Sequence, residues 1–265
     1  MRLNEKIFLL GVGAQKAGTT WLHRTLRASD TVNFGIAKEY HIWDVLYTDQ
    51  FQELRPSGEP PPPHPDRDRI RDLMRREPGY YAEYFNRILA SGVRLTGDIT
   101  PAYSALSAED FIKVRSQLAA IDAKIRVVFL MRDPFERCWS AIRMIKQVKR
   151  ITEPDESLLL AKYTTKDFSM RTRYDRTIQN LREVFSETEL YFGLYETLRE
   201  ESQLRRLSEF LGVNIDRSIV HTLHNSSPKI EKISSETRKV VQSFYSEVYD
   251  YCWNELPGAR QHWFI

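Results

Sequence analysis

Ile7-Phe-Leu-Leu-Gly-Val-Gly-Ala-Gln-Lys-Ala-Gly-Thr-Thr-Trp-Leu22 is the stretch on which the reading of this chain turns. Ile7 to Leu10 form a short apolar block suited to a strand buried on both faces. Gly11, Gly13 and Gly18 follow, with Lys16 between the last two. Thr19, Thr20, Trp21, Leu22 and Leu26 then open a helix. A strand, a glycine loop and a helix N-terminus make a place for phosphate. Free backbone N–H groups and the positive end of the helix dipole converge there on one spot.

The loop nearly matches the nucleoside-triphosphate pattern G-x-x-x-x-G-K-[ST]. Gly13, Gly18 and Thr20 fit, but Thr19 holds the lysine position and the lysine stands three residues earlier, at Lys16. In a nucleotide kinase the lysine follows the second glycine and reaches the β- and γ-phosphates. Here the cation lies inside the loop.

Three further segments carry chemistry. Ile125 to Met131 is a β-branched and apolar run, a central strand. Arg132-Asp133-Pro134 follows at once, with Asp133 able to cap a helix and Pro134 tolerated in its first turn. That helix carries Glu136, Arg137, Ser140 and Arg143. Arg132 and Ser140 flank the strand-to-helix junction, and a guanidinium and a hydroxyl suit a phosphate monoester. Ala37-Lys-Glu-Tyr-His-Ile-Trp-Asp44 brings two carboxyl groups and an imidazole within six residues. It is placed to return to the carboxyl ends of the strands, where open α/β sheets build their sites. Arg94-Leu-Thr-Gly-Asp-Ile-Thr-Pro-Ala-Tyr-Ser104 reads as a strand stopped by Pro101.

In order and spacing these segments resemble the PAPS-dependent sulfotransferases, closest in pattern to the carbohydrate, heparan-type and bacterial members; PAPS is 3′-phosphoadenosine 5′-phosphosulfate. Lys16 to Leu22 is similar to K-x-G-T-T-x-L, Arg132 to Ser140 to R-D-P-x-x-R-x-x-S, Glu39 to Asp44 to E-x-H-F-F-D, and Gly97 to Tyr103 to G-E-x-T-P-x-Y. The resemblance runs from Ile7 to about Trp253. It implies sulfuryl transfer from PAPS to an acceptor hydroxyl, leaving PAP, with no metal. Gly13, Lys16, Ala17, Gly18, Thr19 and Thr20 are then expected to hold the 5′-phosphosulfate. Lys16 would stabilise the charge that grows on the bridging oxygen. Arg132 and Ser140 would hold the 3′-phosphate, and Ser227 and Lys229 belong to a late loop that closes over the donor. Trp21 stacks on adenine or packs in the core. Glu39 is the expected general base, with His41 as its partner or substitute. Asp44, Asp98 and Tyr103 are placed with Glu39 on the acceptor side. Many heparan-type members carry lysine where this chain has Ile99, which weighs against a strongly anionic glycan acceptor.

Two other readings stand beside this one. A P-loop kinase of small molecules would need Asp133 as its magnesium ligand. A non-catalytic PAP-binding module would share the loop without turnover.

Composition sets the outer bounds. The 265 residues suit one α/β domain with a sizeable core, a parallel sheet flanked by helices. Thirty-nine basic against 36 acidic residues is too even a balance for nucleic acid as a partner. Two distant cysteines make no disulfide framework, and six scattered histidines show no H-E-x-x-H pattern. Neither a secretory h-region nor an apolar run of membrane-spanning length is visible, so a cytoplasmic protein acting on a carbohydrate or other small molecule is expected. Prolines 56, 60, 61, 62, 63 and 65 mark a semi-rigid surface excursion over 56–66. Arg67 to Arg76 reads as a solvated basic helix face. Tyr80 to Phe85 begins a helix with an aromatic face, Glu189 to Glu196 a strand, Leu198 to Leu211 a helix stopped by Gly212, and Ser234 to Trp253 a final helix.

Overall fold

The computed structural model describes residues 5–56, 67–216, 220, 231–256 and 258–264. Four strands form one sheet: β1 (Ile7–Gly13), β2 (Leu95–Ile99), β3 (Lys124–Met131) and β4 (Leu190–Leu194). Their order is β2-β1-β3-β4 and every pairing is parallel, with Leu10 beside Asp98 on one side and Val127 on the other. β1 and β2 are buried along their whole length, which is why β1 opens as a continuous apolar run, while β2 buries the polar Thr96 and Asp98 as well.

Helices flank the sheet. In chain order they are α1 (Thr19–Arg27), α2 (Trp43–Tyr47), α3 (Arg67–Arg76), α4 (Tyr80–Ala90), α5 (Ala108–Leu118), α6 (Pro134–Lys149), α7 (Asp155–Lys162), α8 (Lys166–Met170), α9 (Tyr174–Val184), α10 (Glu201–Leu211), α11 (Ser235–Phe244) and α12 (Ser246–Glu255). The aromatic face expected of α4 is buried as Tyr81, Phe85 and Leu89, spaced by one helical turn each. Phe85 meets Phe8 of β1 edge-on with ring centres 4.9 Å apart. Each such side chain contributes about 1.5–3 kcal/mol by leaving water. Trp263 packs on Tyr174 and Tyr249, so the end of the chain shares the core begun by β1.

Local signals set the ends of several elements. Asp133 caps α6 by accepting the Glu136 amide at 2.9 Å, with Pro134 in the first turn. Gly212 closes α10 in the left-handed conformation, at φ 63°. The final helix expected over Ser234 to Trp253 is instead two helices that break at Tyr245. That side chain is buried and its hydroxyl is tied to the Tyr163 carbonyl after α7, so the chain turns to follow it. Most of the proline-rich excursion, residues 57–66, lies outside the described residues. No described helix is long and apolar enough to cross a membrane.

Candidate active site at the sheet's switch point

The chain leaves β1 toward β2 on one side, while β3 and β4 lie on the other. The carboxyl ends of β1 and β3 therefore face a crevice where the strand order reverses, the usual site of open parallel sheets. The glycine loop follows β1 and Arg132-Asp133-Pro134 follows β3, so the two segments that sequence separates by more than a hundred residues become neighbours. Ala14 N donates to Leu130 O at 2.5 Å and binds them together.

Gly18 caps α1 at φ 95°, and a Cβ there would stand 2.7 Å from Leu198 Cδ1 and 3.1 Å from Tyr195 Cδ2. Only glycine meets both demands. Gly18, Thr19 and Thr20 open α1, where backbone N–H groups have no acceptor within the helix. Ala17, expected in the same cradle, is a correction: its side chain is buried and its amide donates to Ala14 O, so it shapes the loop from within. Gly13 is buried at the end of β1, against Pro101 and Ser104.

Cations converge on this loop. Burial holds the Lys16 ammonium below its ordinary pKa, helped by Arg132, Arg143 and Lys38. Among the described residues no acid pairs with Lys16. Arg132 reaches the Lys16 carbonyl at 3.5 Å, pairs with Glu136 at 3.2 Å, and lies 4.6 Å over the Tyr195 ring. Ser140, buried, lies two turns into α6. Arg171, after α8, donates to Gln15 of the loop at 3.2 Å.

The Glu39 segment lies against the end of β2. Ile99 N donates to Lys38 O at 2.9 Å, and Tyr40 N donates to Thr100 Oγ1 at 3.0 Å. Ile42 N donates to the Tyr103 hydroxyl at 3.2 Å, and that hydroxyl donates to Asp98 at 2.7 Å. From outside, Arg71 donates to the Glu39 carbonyl and Arg75 to the His41 carbonyl at 2.8 Å. The basic helix read as a solvated face thus turns two arginines inward, because a segment with His41 at φ 57° leaves carbonyls that no regular ladder can satisfy.

Within the segment the side chains form a charge network. Lys38 Nζ donates to Glu39 Oε1 at 2.6 Å and to Thr19 Oγ1 at 3.1 Å. His41 contacts Glu39 Oε2 at 3.3 Å through Nε2 and Asp44 Oδ2 at 2.7 Å through Nδ1. Burial pushes the Glu39 carboxyl up, but His41 and Lys38 overcome it and hold it at about 2. Burial lowers His41, yet Asp44 and Glu39 outweigh that and raise it to about 9. An imidazolium has no free lone pair, so in this arrangement His41 is a charged donor and Glu39 accepts from it.

The structure thus brings together Lys16, Gly18, Thr19, Thr20, Glu39, His41 and Arg132, with Ser140 buried farther along α6. It corrects the acceptor-side placement of Asp44, Asp98 and Tyr103. All three side chains are fully buried, and what they hold is His41 and the backbone of residues 40–42. Burial drives the Asp98 carboxyl up to about 6 against the hydrogen bonds it accepts from Thr100, Tyr103 and Tyr40. Trp21 is 4 % exposed and donates its indole N–H to Val220 O at 3.3 Å, the placement of a core side chain. Ser227 and Lys229 lie outside the described residues. Asp133, the magnesium ligand a kinase would need, is committed to the Glu136 amide and the Tyr249 hydroxyl. Sequence reasoning missed Lys38, Arg71, Arg75 and Tyr195. Lys38 adjoins the proposed base and Tyr195 ends β4, which were the available signals.

The sulfotransferase domain family model matches residues 5–247. A sulfotransferase from Alicyclobacillus acidocaldarius shares the fold at a TM-score of 0.60 and 18% identity, covering 98% of this chain and 97% of that one. The sulfotransferase domain of the Synechococcus PCC 7002 olefin synthase aligns at 0.48 and 16%, covering 91% and 95%. A mouse sulfotransferase, SULT7A1, complexed with PAP aligns at 0.48 and 11%, covering 97% and 86%. No curated protein gives a match.

Proposed function

The chain belongs to the sulfotransferase domain family and is a sulfuryl-transferring enzyme, and from that premise we propose that its donor is PAPS and its acceptor a hydroxyl of a carbohydrate or other small molecule. The observation that carries this reading is Lys16. It is an ammonium inside the glycine loop with no acid beside it among the described residues, set opposite Arg132 across the switch point. A buried cation cluster with free helix-end amides is chemically matched to a ligand bearing several phosphate or sulfate charges.

When bound, the donor supplies an activated sulfuryl group on its 5′-phosphate. The chain does the rest. The Gly18, Thr19 and Thr20 amides hold the 5′-phosphate. Lys16 neutralises charge on the bridging oxygen as it leaves, stabilisation that is greatest in the transition state. Arg132 and Ser140 fix the far end, so orientation is set beforehand. Glu39 takes the acceptor proton. A carboxylate held at about 2 is a weak base, but it suffices when the hydroxyl becomes acidic late, as its bond to sulfur forms. Lys38 links Thr19 to Glu39 and so sets the distance between donor loop and base.

Thermal unfolding with PAP, with ATP plus magnesium, and with neither tests the proposal. PAP at a hundred times its dissociation constant is expected to raise Tm by about 5–10 °C without metal. Stabilisation by ATP plus magnesium and none by PAP would overturn the donor assignment in favour of a kinase. Glu39→Gln is expected to keep the PAP shift and lose turnover; undiminished turnover would remove Glu39 from the role of base.

A further inference from the structure

Arg143 is a buried cation that the donor-site motifs do not account for. It is 9 % exposed, and both its Nε and Nη1 are buried without a hydrogen-bond partner. Among the described residues no carboxylate comes within ion-pair distance of it. Its one direct neighbour of note is the Trp139 ring, 4.7 Å from the guanidinium. The nearby acids are engaged elsewhere: Asp155 with Lys146 and the Trp139 indole, Glu136 with Arg132 and Arg238. Burying charged N–H groups unpaired is unfavourable, and among the described residues Arg143 is the side chain that leaves two such atoms, which points to a partner from outside.

Position on the helix says what that partner is. Glu136, Ser140 and Arg143 fall at i, i+4 and i+7, one face of α6. Glu136 on that face pairs with Arg132, and Ser140 stands between Glu136 and Arg143. Arg143 therefore extends the row that begins at the Arg132 junction. Its charge acts on Lys16, and Arg132 is the cation that acts on it most strongly. Three like charges on one crevice repel one another, and a dianionic group between them reverses that repulsion.

We propose that Arg143 is a third ligand of the donor's 3′-phosphate, beside Arg132 and Ser140. This rests on the PAPS reading above. Arg143 brings two unpaired N–H donors, Nε and Nη1, where Ser140 offers one hydroxyl. It makes the site select nucleotides that carry a 3′-phosphate over those that lack one.

Calorimetric titration with PAP and with 5′-AMP, which lacks the 3′-phosphate, separates the alternatives. Wild type is expected to bind PAP more tightly than AMP. Arg143→Met, which keeps an apolar stem against Trp139, is expected to weaken PAP by about ten- to a hundredfold and to change AMP by less than twofold. Arg143→Lys should fall between, since it keeps the charge and loses the fork. A PAP-to-AMP ratio unchanged in both variants would overturn the proposal and leave Arg143 a packing residue. Should Arg143→Met not fold, Arg143→Lys and Arg143→Gln carry the same comparison. Wild type binding PAP no better than AMP would instead sink the donor reading itself, a result distinct from an unchanged ratio in the variants.

Discussion

His41 stands between two carboxyl groups, and replacing it with asparagine measures how much of the fold depends on that charge. Asparagine is suitable because position 41 has φ 57°, which asparagine tolerates better than most residues. In the folded protein burial draws the imidazole down, but Asp44 and Glu39 raise it from an ordinary 6.5 to about 9. That gap, at ~1.36 kcal/mol per pH unit, sets a ceiling of about 3 kcal/mol on what the charged ring adds to stability. The ring is 28% exposed, so solvent screening brings the expected figure to about 2 kcal/mol. The sign follows from the direction. A raised pKa gives a contribution that is complete below pH 6.5 and is lost as pH climbs through about 9. Glu39, held at about 2 against an ordinary 4.5, shows the opposite limb. Its share is present above pH 4.5 and is lost as pH falls toward 2. Both limbs describe one shared ion pair, so they are not added. Urea denaturation of wild type and His41→Asn from pH 6 to pH 9.5 is the assay. Wild type is expected to lose about 2 kcal/mol more than the variant over that range. Stability curves that run parallel across it would refute the charged state of His41.

Lys16→Ala is expected to lower turnover by about 10²–10³ with Tm little changed, because among the described residues the ammonium has no acid partner to lose; near-normal turnover would exclude it from the transition state. Lys38→Met removes the tie between Thr19 and Glu39 and one of the two groups that hold the Glu39 carboxyl down, so the acid limb of the pH–rate profile should move to higher pH, and an unmoved limb would deny the contact. Arg75→Ala deletes two N–H donors from the His41 carbonyl, at a cost of about 1–3 kcal/mol in urea denaturation and with a lower kcat at unchanged donor affinity; full activity would mean the clamp is dispensable.

Much of this site was legible because it is built from short contiguous segments. Residues 7–22 announce a strand, a loop and a helix by composition alone, and Arg132-Asp133-Pro134 announces a second strand end and its cap. The parallel rule for alternating strands and helices then places both at the carboxyl end of the sheet. What sequence concealed are contacts made across long separations by residue types that are ordinarily solvated. Arg71 and Arg75 follow a segment rich in proline and sit among charges of both signs, so their inward turn depends on carbonyls of Glu39 and His41 that become needy only after folding. Asp98 and Tyr103 look like pocket residues by type. Their burial is decided by Tyr81 from α4 and by the backbone of residues 40–42, none of them near in sequence.

The same distinction explains how the site divides its work. Groups that close their hydrogen bonds internally, such as Asp98 with Thr100, Tyr103 and Tyr81, are fully buried and hold the backbone rigid. Among the described residues Lys16 has no acid beside it and two N–H groups of Arg143 have no partner, and Arg143 is near enough for its charge to act on Lys16 in the loop after β1. A crevice that holds unmet cationic donors is less stable empty than filled. Anion binding there and folding are then linked, so a donor analogue must raise stability by the amount its own affinity and concentration dictate. Glu39 stands at the boundary of the two groups. Lys38 joins it to the loop and His41 joins it to the buried Asp44, so a change in the occupancy of the loop reaches the proposed base through Lys38.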